Sequence, residues 1–188
     1  MKWKLEDVAT FAKARLSPKR FQHVLGVVET AEMLAKRHDV NVSDASYAAM
    51  IHDIAKEQDV NQIARLLRLE NEHDYLQYSD KVWHAPLGAI IATKTFGIEN
   101  QDIINAIKYH PTGRAQMSDL EKVLFVADYT EPNRNFEEAI AIREFWGDLE
   151  RAVYEILKQK VERVTALKLN MHPDTLVAHN YYRQRIND

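Results

Sequence analysis

Ile51-His52-Asp53-Ile54-Ala55-Lys56 sets a histidine directly before an aspartate in an apolar, helix-forming context. One rigid turn there offers a metal both an imidazole and a carboxylate. Ala48 and Ala49 precede the pair by one turn and leave room over small side chains for something bulky. Working outward, His23 lies upstream in Arg20-Phe21-Gln22-His23, and His84, His110 and Asp128 follow downstream, each near the start or end of a helix-like apolar segment. Six hard or borderline donors in this order are enough for two metal ions. A lone histidine on a half-apolar face is more often hydrogen-bonded or exposed than a ligand, and His38, His73, His172 and His179 are read in that plainer way.

The surrounding segments repeat with helical period. Leu5, Val8, Ala12 and Leu16 form one stripe, and Ser17-Pro18 supplies an N-cap with proline at the first helical position of the next helix. That second helix carries Phe21, Val24, Leu25, Val28, Ala31, Leu34 and Ala35, with His23 at the edge of the stripe one turn before Val27. Ser43 is the expected cap of a third helix holding His52 and Asp53. A short helix over Val60 to Leu67 is followed by a polar stretch, Glu70 to Ser79, that reads as a loop with little core content. The segment Leu87 to Phe96 ends at Gly97, and Asn100 caps a helix that Pro111 breaks just after His110. Ser118-Asp119-Leu120-Glu121 is a capping box whose helix turns Asp128 to the side of Leu124. Leu149 to Leu167 forms a long amphipathic helix, and Asp174-Thr175 begins a short terminal one. Nothing alternates with period two, so the predicted fold is all-α, a single helical bundle over residues 1–188.

Composition narrows the function. A chain of 188 residues with 46% hydrophobic content supports one domain and one core. The formal net charge of −3 argues against a general nucleic-acid surface, so any anionic substrate is held locally. Without cysteine there is neither a disulfide framework nor thiolate ligation, and a metal falls to His, Asp and Glu. Met1 to Asp7 lacks the apolar run of a signal peptide and no later run reaches membrane-spanning length, so the expected compartment is the cytoplasm, with no membrane partner. Both a monomer and a homodimer are compatible with this composition.

The chain resembles the HD-domain metal-dependent phosphohydrolases, and within them the bacterial YqeK-type branch of symmetrical diadenosine tetraphosphate hydrolases. The residues that carry the resemblance are Arg20 to His23, Ala48 to Lys56, His84 to Ala89, Ala106 to Arg114 and Ala127 to Arg134. The resemblance implies that His23, His52, Asp53 and Asp128 bind one iron, with Asp53 bridging to a second held by His84 and His110. Two positions depart from the pattern: Pro111 follows His110 where threonine is expected, and Asn133 stands where glycine is common. Neither removes a ligand.

Imidazole and carboxylate donors without thiolate suit iron or manganese. Two such ions roughly 3.5–4 Å apart share a hydroxide that serves as nucleophile on phosphorus. Phosphoryl transfer then asks the protein for positioning and positive charge. Asp53, Lys56 and Arg114 are the catalytic candidates, and Arg20, Lys56, Thr112, Gly113, Arg114 and Arg134 the candidates for holding substrate, the Thr112-Gly113 pair through backbone N–H groups. Tyr78, Trp83, Tyr109 and Tyr129 are aromatic candidates for a base, and equally candidates for the core. The expected reaction is cleavage of diadenosine tetraphosphate to two ADP. The alternatives are an HD-type phosphatase or phosphodiesterase on mononucleotides or cyclic nucleotides, and a non-catalytic adaptor that senses nucleotide or metal.

Overall fold

The computed structural model describes residues 3–186, and among these the regular structure is entirely helical. Ten α-helices follow in order: α1 Leu5–Arg15, α2 Pro18–Arg37, α3 Val42–Ile51, α4 Val60–Leu69, α5 His84–Lys94, α6 Gln101–Tyr109, α7 Asp119–Thr130, α8 Glu137–Ile142, α9 Leu149–Ala166 and α10 Pro173–Arg185. Helix α7 is the centre of the bundle. Its Leu120, Val123, Leu124, Phe125, Val126 and Ala127 are all buried, the pattern of a helix surrounded by protein on every side. Helices α2, α3, α6 and α9 pack directly on it.

Local chemistry accounts for the boundaries. The Ser17 side chain accepts the Arg20 N–H at the start of α2, and Ser118 with Glu121 forms a complete capping box on α7. The chain beyond α5 reverses at Gly97, whose φ of 66° lets the Ile98 N–H turn back to the Ala92 carbonyl. Pro86 is tolerated because it falls in the first turn of α5, where an N–H has no helical acceptor.

Several expectations are corrected. Asn41, not Ser43, caps α3: the chain leaves α2 through Asp39 at φ 55°, so the helix starts two residues sooner and the Asn41 side chain accepts the Asp44 N–H. That helix stops at Ile51, so His52 is its C-cap and Asp53 lies in the turn beyond it. The stretch 70–79 is no bare loop, since His73–Gln77 and Asp80–Val82 are 3-10 turns and Tyr75 is buried. The Trp83 indole N–H, shared between the Tyr75 and Tyr78 carbonyls, pins that segment. Helix α10 is thirteen residues long and is capped by His172. The apolar stripe of α9 is core only as far as Leu157; beyond it the helix leaves the core, and Val164 lines a cleft.

Candidate metal centre

Five helices and the turn after α3 deliver the six candidate ligands. His23 projects from α2, His52 caps the end of α3, His84 opens α5, His110 caps the end of α6, and Asp128 lies in the last turn of α7. Their donor atoms converge. Asp53 stands in the middle with its two oxygens facing different histidines. Oδ1 is 3.2 Å from His84 Nε2 and 3.7 Å from His110 Nε2. Oδ2 is 3.6 Å from His52 Nε2 and 3.8 Å from His23 Nε2. Asp128 Oδ1 lies 3.1 Å from His23 Nε2 and 3.9 Å from His52 Nε2. His84 Nε2 and His110 Nε2 are 3.1 Å apart. Two groups, His23 with His52 and Asp128, and His52 with Asp53 and His110, each bring their ligand atoms within 4.8 Å of one another.

The tautomers are set from behind. The Nδ1 of His52 donates to the Ala49 carbonyl at 2.6 Å, and that of His110 to the Ile107 carbonyl at 2.8 Å. Each ring thereby keeps its proton on Nδ1 and turns an Nε2 lone pair inward. His52 Nε2 is buried without a hydrogen-bond partner, an orphaned acceptor that a cation satisfies. His23 is oriented by a carboxylate: its Nδ1 lies 3.1 Å from Glu131 Oε1. Glu131 is buried, and its other oxygen accepts the N–H and the side-chain amide of Asn133. Gly26 makes this possible, because a Cβ there would overlap that second oxygen.

Electrostatics agree with ligation. Burial pushes His52 down to about 4 and His84 down to about 3, so both imidazoles are neutral near pH 7. Burial raises the Asp53 and Asp128 carboxyls, but the imidazoles around them outweigh it and hold both well below the usual carboxylate range. Burial also lowers His23, yet its bonds to Asp128 and Glu131 raise it overall.

A cleft of about 360 Å³ opens over this cluster. Arg20, Lys56, Lys81, Arg134, Lys160 and Arg163 line it beside Asp53, His110 and Asp128, so cationic charge is concentrated here despite the negative whole-chain balance. Arg20 donates to Asp53 Oδ2 at 2.9 Å, Arg134 to Asp128 Oδ1 at 3.3 Å, and Lys56 Nζ sits 3.2 Å from His84 Nδ1. Lys160 and Arg163 carried no role in the sequence reading, because lysines and arginines on an amphipathic helix look like a solvated face. Burial lowers the Lys160 ammonium to about 8, and its Nζ donates to the Pro111 carbonyl at 3.0 Å.

Three expected substrate contacts are not brought into the cleft. Arg114 makes a two-pronged salt bridge with the buried Glu121, both bonds 2.8 Å, and braces the start of α7. The N–H groups of Thr112 and Gly113 both donate to the Tyr109 carbonyl, which leaves neither for a phosphate. Nor do the four remaining histidines join the cluster. His38 bonds the Trp146 carbonyl, His73 is exposed, His172 caps α10, and His179 stacks on Tyr154.

This geometry defines a class, a helical bundle that gathers histidines and aspartates able to hold a metal ion. The HD domain family model matches residues 20–133, a window containing every candidate ligand, and the chain belongs to the HD domain family. It is similar to a symmetrical bis(5'-nucleosyl)-tetraphosphatase of Halalkalibacterium halodurans, 39% identical over 89% of this chain and 91% of the relative. A symmetrical bis(5'-nucleosyl)-tetraphosphatase of Staphylococcus aureus is 35% identical over 98% of each chain. Among solved structures, an HD superfamily hydrolase of Clostridium acetobutylicum, described as involved in NAD metabolism, superposes with a TM-score of 0.93 at 31% identity, covering 98% of this chain and all of that one. No helix among the described residues is long and apolar enough to cross a membrane.

Proposed function

We propose that this chain is a metal-dependent hydrolase that cuts diadenosine tetraphosphate at its central bridge to give two ADP. The observation that carries the reading is Asp53, whose two oxygens face the His84–His110 pair and the His23–His52 pair respectively. That divergence supports a bridging carboxylate between two divalent transition-metal ions, iron first and manganese second. His23, His52 and Asp128 would hold one ion, and His84 and His110 the other. When bound, the ions supply Lewis acidity and activate water for attack on phosphorus.

The residues of the chain do the rest. Arg20, Lys56 and Arg134 neutralise the polyphosphate, joined by Lys160 and Arg163 from α9, while Arg114 supports α7 from outside the cleft. Orientation of His23 by Glu131 keeps its Nε2 aimed at Asp128. The substrate assignment rests on the relatives that span nearly the whole chain, and residues 1–188 serve it as one domain.

Metal-loaded protein incubated with diadenosine tetraphosphate is expected to yield ADP as the sole initial product on chromatography. Early ATP with AMP, or free phosphate, refutes the symmetrical assignment. Asp53→Asn is expected to abolish turnover and to lower metal content at both positions. Loss of one ion only would assign Asp53 to a single metal.

A further inference from the structure

The cleft over the metals continues past Lys160 into a smaller arm of about 140 Å³. The two spaces share Lys81, Val82, Pro111, Lys160, Val164 and Leu169 as lining, so they form one trough. At the far end stand Tyr78, Met171 and His172. The arm is bounded by aliphatic and aromatic faces, whereas the shared mouth carries two ammonium groups. Its volume is well below the roughly 300 Å³ at which pockets for whole drug-sized ligands begin, so it suits one heterocycle with the rest of the ligand left outside. The opposite end of the cleft differs. It broadens toward Tyr129 and the exposed Phe136, on a shelf carrying Glu138 and Glu162.

We propose that the arm between Tyr78 and Leu169 seats one nucleoside base of the substrate, and that Lys160 and Lys81 at its mouth hold the phosphates running from that nucleoside to the metals. This rests on the dinucleoside polyphosphate reading above. An aromatic side chain and the flat sides of Val164 and Leu169 suit the π-face of a base. Lys160 Nζ spends one donor on the Pro111 carbonyl, leaving further N–H groups for phosphate oxygens. The arm is already braced: Asn170 donates to the Gln77 carbonyl at 2.7 Å, and Thr175 Oγ1 to the Thr112 carbonyl at 3.0 Å. Little ordering therefore accompanies binding. A chemically symmetrical substrate is gripped by one end only, since the Phe136 shelf offers no comparable enclosure.

The test uses two substitutions that leave the metal ligands alone. Leu169→Trp fills the arm from an exposed position and Tyr78→Ala removes a wall. Calorimetry on metal-loaded protein measures ADP affinity, with tripolyphosphate as a ligand that has no base, and steady-state kinetics give KM and kcat for diadenosine tetraphosphate. The expected result is ADP affinity weakened and KM raised by about tenfold in both variants, with tripolyphosphate binding and kcat within about twofold of wild type. Wild-type ADP affinity in both variants, or an equal loss of ADP and tripolyphosphate binding, overturns the assignment. The ADP measurement needs no turnover. Arm-dependent ADP binding in a wild-type protein that fails to make ADP from diadenosine tetraphosphate would therefore refute the reaction and uphold the base seat.

Discussion

Replacing Gly26 by alanine ought to stabilise α2, because alanine in a helix interior is favoured over glycine by about 1 kcal/mol. The surroundings reverse that expectation. A Cβ at position 26 overlaps Glu131 Oε2 and comes within 3.1 Å of the Asn133 amide. The struck atom is the end of a flexible side chain, but this one is not free to move. It accepts two hydrogen bonds from Asn133, at 2.7 and 2.9 Å, while the other carboxylate oxygen lies 3.1 Å from His23 Nδ1. Shifting the group breaks at least one bond to a buried charge, each worth about 1.5–3 kcal/mol. Subtracting the helix gain leaves Gly26→Ala less stable by about 0.5–2 kcal/mol. It also lowers metal affinity by about 10- to 100-fold, because His23 loses its orienting carboxylate. Urea unfolding of chelator-treated protein reads the first quantity, and competition titration with a metal indicator reads the second. A Gly26→Ala protein more stable than wild type, with unaltered metal affinity, would show that Glu131 does not hold His23 in place.

Arg114→Met is expected to destabilise the fold by about 2 kcal/mol, because it strands the buried Glu121 carboxylate, while kcat/KM stays within about threefold; a large kinetic loss in a stable protein would return Arg114 to the substrate. Acid should weaken the metal-free fold from pH 6.5 downward. His52 and His84 have folded-state values depressed by burial to about 4 and about 3, so their stabilising contribution is complete above the unfolded value of 6.5 and is lost progressively as pH falls toward those folded values. At pH 5 each costs up to ~2 kcal/mol, and His23, whose value is raised, offsets part of the sum. Denaturant midpoints that stay flat between pH 7 and 5 would contradict the neutral burial of these rings.

The candidate ligand set could be picked out because His84 and His110 stand beside prolines at helix boundaries and His52-Asp53 is an adjacent pair, although the end of α3 at Ile51 was not read from the sequence. The all-α fold followed from the helical periodicity. What escaped depended on direction rather than position. Arg114 is close to His110 in sequence, yet the left-handed turn at Gly113 sends the chain toward Glu121. Lys160 is fifty residues from His110 by sequence, but α9 crosses α7 and brings its Nζ onto the Pro111 carbonyl. The Thr112-Gly113 amides looked available because nothing in the sequence announces that Tyr109 accepts both. Asn133 departs from the family pattern, and its amide turns out to fasten Glu131.

Proline at position 111 bears on a proton that it never touches. In a continuing helix the Ile107 carbonyl would receive the N–H of residue 111, and proline has none. The acceptor is left without a rival claimant, and His110 Nδ1 takes it at 2.8 Å. His52 makes the equivalent bond to the Ala49 carbonyl with Asp53 after it, so the proline removes a competitor for the Ile107 carbonyl and the imidazole bond itself fixes the proton on His110 Nδ1.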